Sequence, residues 1–255
     1  MFPVIELALS AVLGLVLGSF STALIYRVPR RLKWGAKRSA CPNCKTQLGI
    51  LDLFPVFSWV FSRGKCRHCN KPISAVYPLI EVVGAFLCAG AYAVFGFGAE
   101  MFFVAAAVPV LVSLFVIDLK HMILPNQLVF ALMVIGLGRL FYFSISDVFV
   151  SVPDLMIPYI VGAVVYAIVP WALGAVLTKV LKKDSLGMGD VKFFFVSGLW
   201  LGLSVLPYFM MMSGLLAMMF AVAWRLIVGG EAFPFGPALI ASFYGLLLFQ
   251  GSFLM

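Results

Sequence analysis

Charge is what this 255-residue chain has least of: 11% of its residues are Asp, Glu, Lys or Arg, and only ten are acidic. A soluble domain carries about a quarter of such residues, so the shortfall excludes an ordinary water-solvated fold. Internal repeats and low-complexity tracts are absent. The opening Met1-Phe-Pro-Val-Ile-Glu6 lacks the positive n-region of a removable signal peptide, and no small-residue cleavage site precedes the first basic stretch. The first apolar run is therefore expected to remain as a helix. Dispersed basic charge of the kind that meets nucleic acid is also missing, which argues against a nucleic-acid partner.

What is present is apolar: 64% of the residues are hydrophobic, and mean hydropathy is +1.12. Runs of about 20 apolar residues, the length that crosses a bilayer, recur along nearly the whole chain. Lipid offers no partner to backbone N–H and C=O groups, so such runs read as helices. The 23 glycines suit close helix–helix packing. The fold class expected is an all-α polytopic membrane protein of about eight transmembrane helices with a small cytoplasmic zinc-ribbon-like lobe. The helices fall near residues 4–26, 76–97, 101–117, 127–143, 157–180, 191–206, 207–228 and 237 onward. The turn between the sixth and seventh is short enough to hide a re-entrant pair. Three regions are expected: a first transmembrane helix at 1–26, a cytoplasmic zinc-binding lobe at 27–75, and a membrane core at 76–255.

Of the 18 Lys and Arg residues, 11 lie between Arg27 and Lys71. Clustering of this kind marks cytoplasmic loops, and it gives anionic lipid headgroups a surface to meet. The loop carrying Asp147 and Asp154 has no basic residue and goes outside, with both termini. The lobe is too small for an independent core without a staple. That staple is Cys41-Pro-Asn-Cys44 with Cys66-Arg-His-Cys69. Two Cys-x-x-Cys pairs at this separation offer four thiolates to a tetrahedral ion, and the reducing cytosol favours metal over disulfides. Cys41, Cys44, Cys66 and Cys69 are thus expected to hold structural Zn²⁺. Labile disulfides are the alternative, and His68 could replace one cysteine but is more often just exposed in such a knuckle. Cys88 reads as a packing residue.

Carboxylates at a membrane edge are costly, which makes each a functional candidate. Asp118 ends the run Leu111–Ile117, and Asp190 closes Gly187-Met-Gly189-Asp190 before a new apolar run. Charge topology places both at cytoplasmic helix ends, at similar depth. Two carboxyls sharing a water hold one proton between them, the arrangement that hydrolyses peptides by general acid–base chemistry without a covalent intermediate. The structural alternative is that each caps a helix or pairs with Lys120 or Lys192. Asp184 lies in a Lys-rich turn with Lys182 and Lys183. Glu81, one turn into the second helix, is either functional or an interfacial ion-pair partner.

These residues resemble the type IV prepilin peptidases, or leader peptidase/N-methyltransferases, of the GxGD class of membrane aspartic peptidases. The likeness runs in order through Gly18-Ser-Phe20, Ile25-Tyr-Arg-Val-Pro29, both cysteine pairs and Pro55-Val-Phe-Ser-Trp59. It continues with Arg63-Gly-Lys-Cys66, Ile73-Ser74, Tyr77-Pro78, Glu81, Asp118 with Leu124-Pro125-Asn126, Gly187-Met-Gly-Asp190 and Pro234-Phe-Gly-Pro237. It implies an enzyme of the bacterial inner (cytoplasmic) membrane, active site facing the cytoplasm, that removes the basic leader from type IV prepilins and type II secretion pseudopilins after a glycine. It also implies S-adenosyl-L-methionine-dependent N-methylation of the new N-terminal residue by the cytoplasmic N-terminal region. Asp118 and Asp190 match the family's catalytic aspartates. Thr22, Leu53 and Val76 depart from its commoner Asn, Asn and Arg, all in or beside the region linked to methylation, and no Gly-rich fingerprint marks contacts to the methyl donor. A peptidase without methylation, a proton-coupled transporter and a non-catalytic zinc scaffold are the competing readings. A basic leader would be repelled by the lobe unless Asp52, Glu81 or lipid phosphates intervene.

Overall fold

The structure, a computed structural model, describes residues 2–35, 38–146, 152–182, 186–229 and 233–253. Asp147, Lys183 and Asp184 lie outside the described residues, as does the side chain of Asp154. The helices are α1 (Phe2–Arg27), α2 (Phe57–Phe61), α3 (Val76–Phe95), α4 (Ala99–His121), α5 (Asn126–Ser146), α6 (Val152–Leu181), α7 (Met188–Leu201), α8 (Leu206–Ile227) and α9 (Gly236–Phe253). Single 3-10 turns occur at Ile50–Asp52 and Leu203–Val205. Among the described residues there is no strand, only two isolated bridges, Ala40 with Gln47 and Lys65 with Pro72.

Six of these helices are long and apolar enough to cross a membrane: those at Pro3–Arg27, Val76–Phe95, Ala99–His121, Asn126–Ser146, Met156–Val180 and Leu203–Ile227. The chain is thus an all-α, multi-pass membrane protein. Two of the eight expected spans are shorter. α7 has 14 residues, about 21 Å at 1.5 Å per residue, against about 30 Å of hydrocarbon. It stops where the sequence reading carried it on, because Gly202 turns to φ +74 while its N–H still donates to Gly198 O at 2.9 Å. Only glycine takes that left-handed conformation freely. α6 in turn starts at Val152, so Asp154 belongs to a helix and not to the outer loop expected for it.

The chain divides into two compact units, Met1–Ser113 and Leu114–Met255, with α4 running across the boundary. In the first unit α1 and α3 pack backbone to backbone. A Cβ added at Gly18 would stand 2.7 Å from Glu81 Cα, and one at Gly84 would stand 3.0 Å from Gly18 Cα. Gly14, one turn before Gly18, meets Gly84 in the same way. Small residues four apart are the membrane solution for close approach, since lipid supplies little drive for bulky packing. Cys88 is fully buried in α3.

The second unit repeats this device with different residues. A Cβ at Gly198 of α7 would lie 2.8 Å from Ala163 Cα of α6, and Leu140, Ala163 and Leu199 form a shared core. Trp200 fills the space beside Gly136, donates from Nε1 to Leu132 O at 3.2 Å and lies under the Arg139 guanidinium at 5.5 Å. This cation–π contact accommodates a charge inside α5. Phe243 of α9 meets Phe193 and Trp200 edge-on at 5.8 and 6.0 Å. α9 is thereby clamped to α7, which fixes the position of its first turn.

Candidate active site and metal centre

Asp118 lies in the last turn of α4 and is 4% exposed. Its Oδ2 accepts a hydrogen bond from the Gly236 backbone N–H at 2.8 Å. Gly236 is the first residue of α9, so the carboxylate satisfies one of the N–H groups that a helix start leaves without an internal partner. No side chain fits at 236, because a Cβ there would stand 2.6 Å from Asp118 Oδ2.

Asp190 is in the first turn of α7 and is half-buried. Its carboxylate accepts from the Gly187 backbone N–H, the reach-back contact of an acidic residue at the third helical position. Asp118 lies near enough for the two charges to interact. Gly189 allows Leu124 to pack on the α7 start, since a Cβ would come within 3.2 Å of Leu124 Cβ. Lys192 Nζ donates to Asn126 Oδ1 at 2.9 Å. Among the described residues neither aspartate forms an ion pair with Lys120 or Lys192, so the ion-pair alternative fails. The capping contacts exist for both, and they hold each carboxylate by one oxygen while leaving it a second.

The sequence reading quoted the motif around Gly236 but did not connect it to Asp118. No spacing rule could have done so across 118 positions. Two carboxylates whose charges interact, each anchored by a backbone N–H, are the groups that general acid–base hydrolysis requires.

In the first unit Cys41, Cys44, Cys66 and Cys69 are free thiols, and their Sγ atoms all lie within 4.8 Å of one another. Cys41 and Cys69 are 3.9 Å apart at sulfur. A tetrahedral site with metal–sulfur bonds of about 2.3 Å has sulfurs about 3.8 Å apart, so the cluster suits a tetrahedral metal ion and not disulfides. Each pair sits in the same turn. Lys45 N–H donates to Cys41 O and Asn70 N–H to Cys66 O, both at 2.9 Å, and both donors take positive φ, 62 and 55. The isolated bridges flank the two turns identically. The lobe therefore contains a repeat that the sequence does not advertise. The Cys69 and His68 N–H groups hold the Cys66 thiol below its ordinary value. The Thr46 hydroxyl and N–H hold Cys44 down at about 6. Both effects favour thiolates, the form that binds metal, while Cys69, despite the Lys71 N–H, is pushed up to about 11 by burial and its three neighbouring thiols. His68 is exposed and outside the cluster.

Glu81 is buried, with Oε2 accepting from Val56 N–H at 2.7 Å and the Ser19 hydroxyl on the same carboxylate. Val56 adopts φ +61, an outlier for a β-branched residue. Asp52 accepts from Gly49 N–H at 3.0 Å and pairs with Arg67 at 3.5 Å. Both acids thus have partners within the first unit.

Residues 105–222 match the type IV leader peptidase family, and residues 12–95 match the bacterial peptidase A24 N-terminal domain. The chain is 32% identical to the prepilin leader peptidase/N-methyltransferase of Aeromonas hydrophila, over 96% of this chain and 91% of that one. Its counterpart from Pectobacterium carotovorum subsp. carotovorum is 31% identical, covering 88% and 85%. The one from Neisseria gonorrhoeae is also 31% identical, covering 92% and 87%. No solved structure matches.

Proposed function

The chain belongs to the type IV leader peptidase family, and from that premise we propose that it cleaves prepilins and pseudopilins as an aspartic peptidase and methylates the new N-terminus. The observation that carries the reading is the pair Asp118 and Asp190, each anchored by a backbone N–H at a helix start and close enough to interact. The ionised member takes a proton from a water held between the carboxyls, and the protonated member hydrogen-bonds the scissile carbonyl oxygen. Water oxygen adds to the carbonyl carbon, the proton passes to the leaving amine, and the C–N bond breaks. Two apparent pKa values then belong to the pair and not to either residue. Gly187, where an added side chain would meet only the Asp190 carboxylate, leaves that side of Asp190 clear for an extended peptide.

The site faces the cytoplasm of the bacterial inner membrane, on the side given by the basic loops. The Cys41, Cys44, Cys66 and Cys69 thiolates hold Zn²⁺. Four sulfurs leave no open coordination position, so the ion staples residues 27–75 and takes no part in hydrolysis. Methyl transfer from S-adenosyl-L-methionine to the freed amine belongs to this N-terminal region, with 76–255 as the peptidase core. The test is co-expression with a prepilin bearing a basic leader. Wild-type chain converts it to the shorter product, and Asp190→Asn does not; conversion by that variant would sink the proposal.

A further inference from the structure

The segment between the two cysteine turns carries apolar side chains that the lobe itself does not cover. Ile50, Leu51, Phe57 and Phe61 are 83%, 72%, 50% and 75% exposed. Phe57 is stacked with Phe61 at 6.5 Å between ring centroids, so the aromatics form one continuous patch. In a water-solvated lobe such a patch would mark an interaction surface.

Its depth is fixed by one hydrogen bond. Val56, in the middle of the segment, donates to Glu81 at 2.7 Å. Glu81 lies five residues past Val76, where α3 starts, or about 7–8 Å along the helix axis. The 20 residues of α3 make a span of about 30 Å, the hydrocarbon thickness. The segment is therefore tied below the start of the span and not above it. That matches the 5–10 Å at which interfacial apolar elements sit between headgroups and acyl chains. Backbone groups at this level need partners, and several have them: Val56 N–H goes to Glu81, and Ser58 and Val60 N–H go to Phe54 and Val56 carbonyls at 3.0 Å.

The flanking charge names the occupant. Arg63, Lys65 and Lys71 follow directly, and Asp52, the one acid between 27 and 75, is engaged by Arg67 and leaves them uncompensated within the segment. An apolar helix of another chain would answer the aromatics and leave the cations unmet. A leaflet with anionic headgroups answers both.

We propose that residues 50–61 form a lipid-inserted keel, with Phe57 and Phe61 among acyl chains and the following cations on anionic phosphates. The zinc-binding lobe is then a peripheral membrane element as well as a loop between spans. The test uses the full chain in vesicles of phosphatidylethanolamine and phosphatidylglycerol, with p-benzoylphenylalanine at position 57, 61 or 68, each variant checked for zinc content. After irradiation, mass spectrometry should find several-fold more phospholipid adduct at 57 and 61 than at the exposed position 68. Equal yields at the three positions, or cross-links at 57 and 61 to a prepilin or a second copy in place of lipid, would overturn the keel. Exchanging phosphatidylglycerol for phosphatidylcholine should lower the adduct yield, and an unchanged yield would overturn the role given to the cations. Peptidase activity is not read in any arm, so the outcome is independent of the proposed reaction.

Discussion

Replacing Gly236 by alanine adds one carbon 2.6 Å from Asp118 Oδ2, 2.8 Å from Cγ and 3.1 Å from Cβ, where ordinary contact is 3.4–4 Å. All three distances are to the same carboxylate, so it cannot escape by a small rotation. Either the carboxylate leaves its position or the first turn of α9 backs away, and in both cases the 2.8 Å bond from Gly236 N–H is lost. A hydrogen bond to a charged group contributes about 1.5–3 kcal/mol, so the cleavage rate should fall roughly 10- to 100-fold. Gly189→Ala meets Leu124 at 3.2 Å and should cause a smaller loss. Gly214→Ala and Gly245→Ala meet nothing within 4 Å and should be neutral, or slightly stabilising because alanine favours helix. The assay is the initial rate of leader removal from a prepilin by purified variants of equal zinc content. Wild-type rates for Gly236→Ala, or a ranking in which Gly214→Ala is the worst, would refute the geometry.

Asp118→Asn and Asp190→Asn keep a side-chain oxygen for their backbone partners and remove the charge, so cleavage should drop at least about 100-fold with zinc content unchanged. Asp118→Ala also removes the acceptor for the α9 start and should cost about 1–2 kcal/mol of stability, read as a lower thermal transition than that of the Asn variant. Replacing Cys41 and Cys66 by serine should lose the metal, measured by elemental analysis of the purified chain, and should leave a processed but unmethylated product. Gly18→Leu, against Glu81 Cα at 2.7 Å for its first carbon alone, should separate α1 from α3 and lower the yield of folded protein on size exclusion.

The spans were legible because lipid enforces one rule: about 20 apolar residues in a helix. α7 escaped it, since a turn at Gly202 depends on a φ angle that composition does not reveal. The cysteine cluster was legible from spacing, yet the repeated turn around it was not. Cys-Pro-Asn-Cys and Cys-Arg-His-Cys share only their sulfurs, and the likeness lies in backbone bonds from Lys45 and Asn70. Asp118 and Asp190 were conspicuous as acids at the ends of apolar runs. Their partners were hidden for different reasons: Gly187 is local but contributes only a backbone N–H, and Gly236 is remote. Asp52 and Glu81, expected to be able to meet a basic leader, are engaged with Arg67 and Val56. That pairing depends on how the lobe folds back, which no local pattern encodes.

The central claim is that one chain removes the leader at an Asp118–Asp190 pair and then methylates the product. It is tested most directly by incubating the purified, zinc-loaded protein with a prepilin and S-adenosyl-L-methionine and reading the substrate's N-terminus by intact mass spectrometry. Wild-type chain should yield leader-free product heavier by one methyl group, and Asp118→Asn should return the prepilin unchanged. Leader-free product from Asp118→Asn at the wild-type rate would contradict the account.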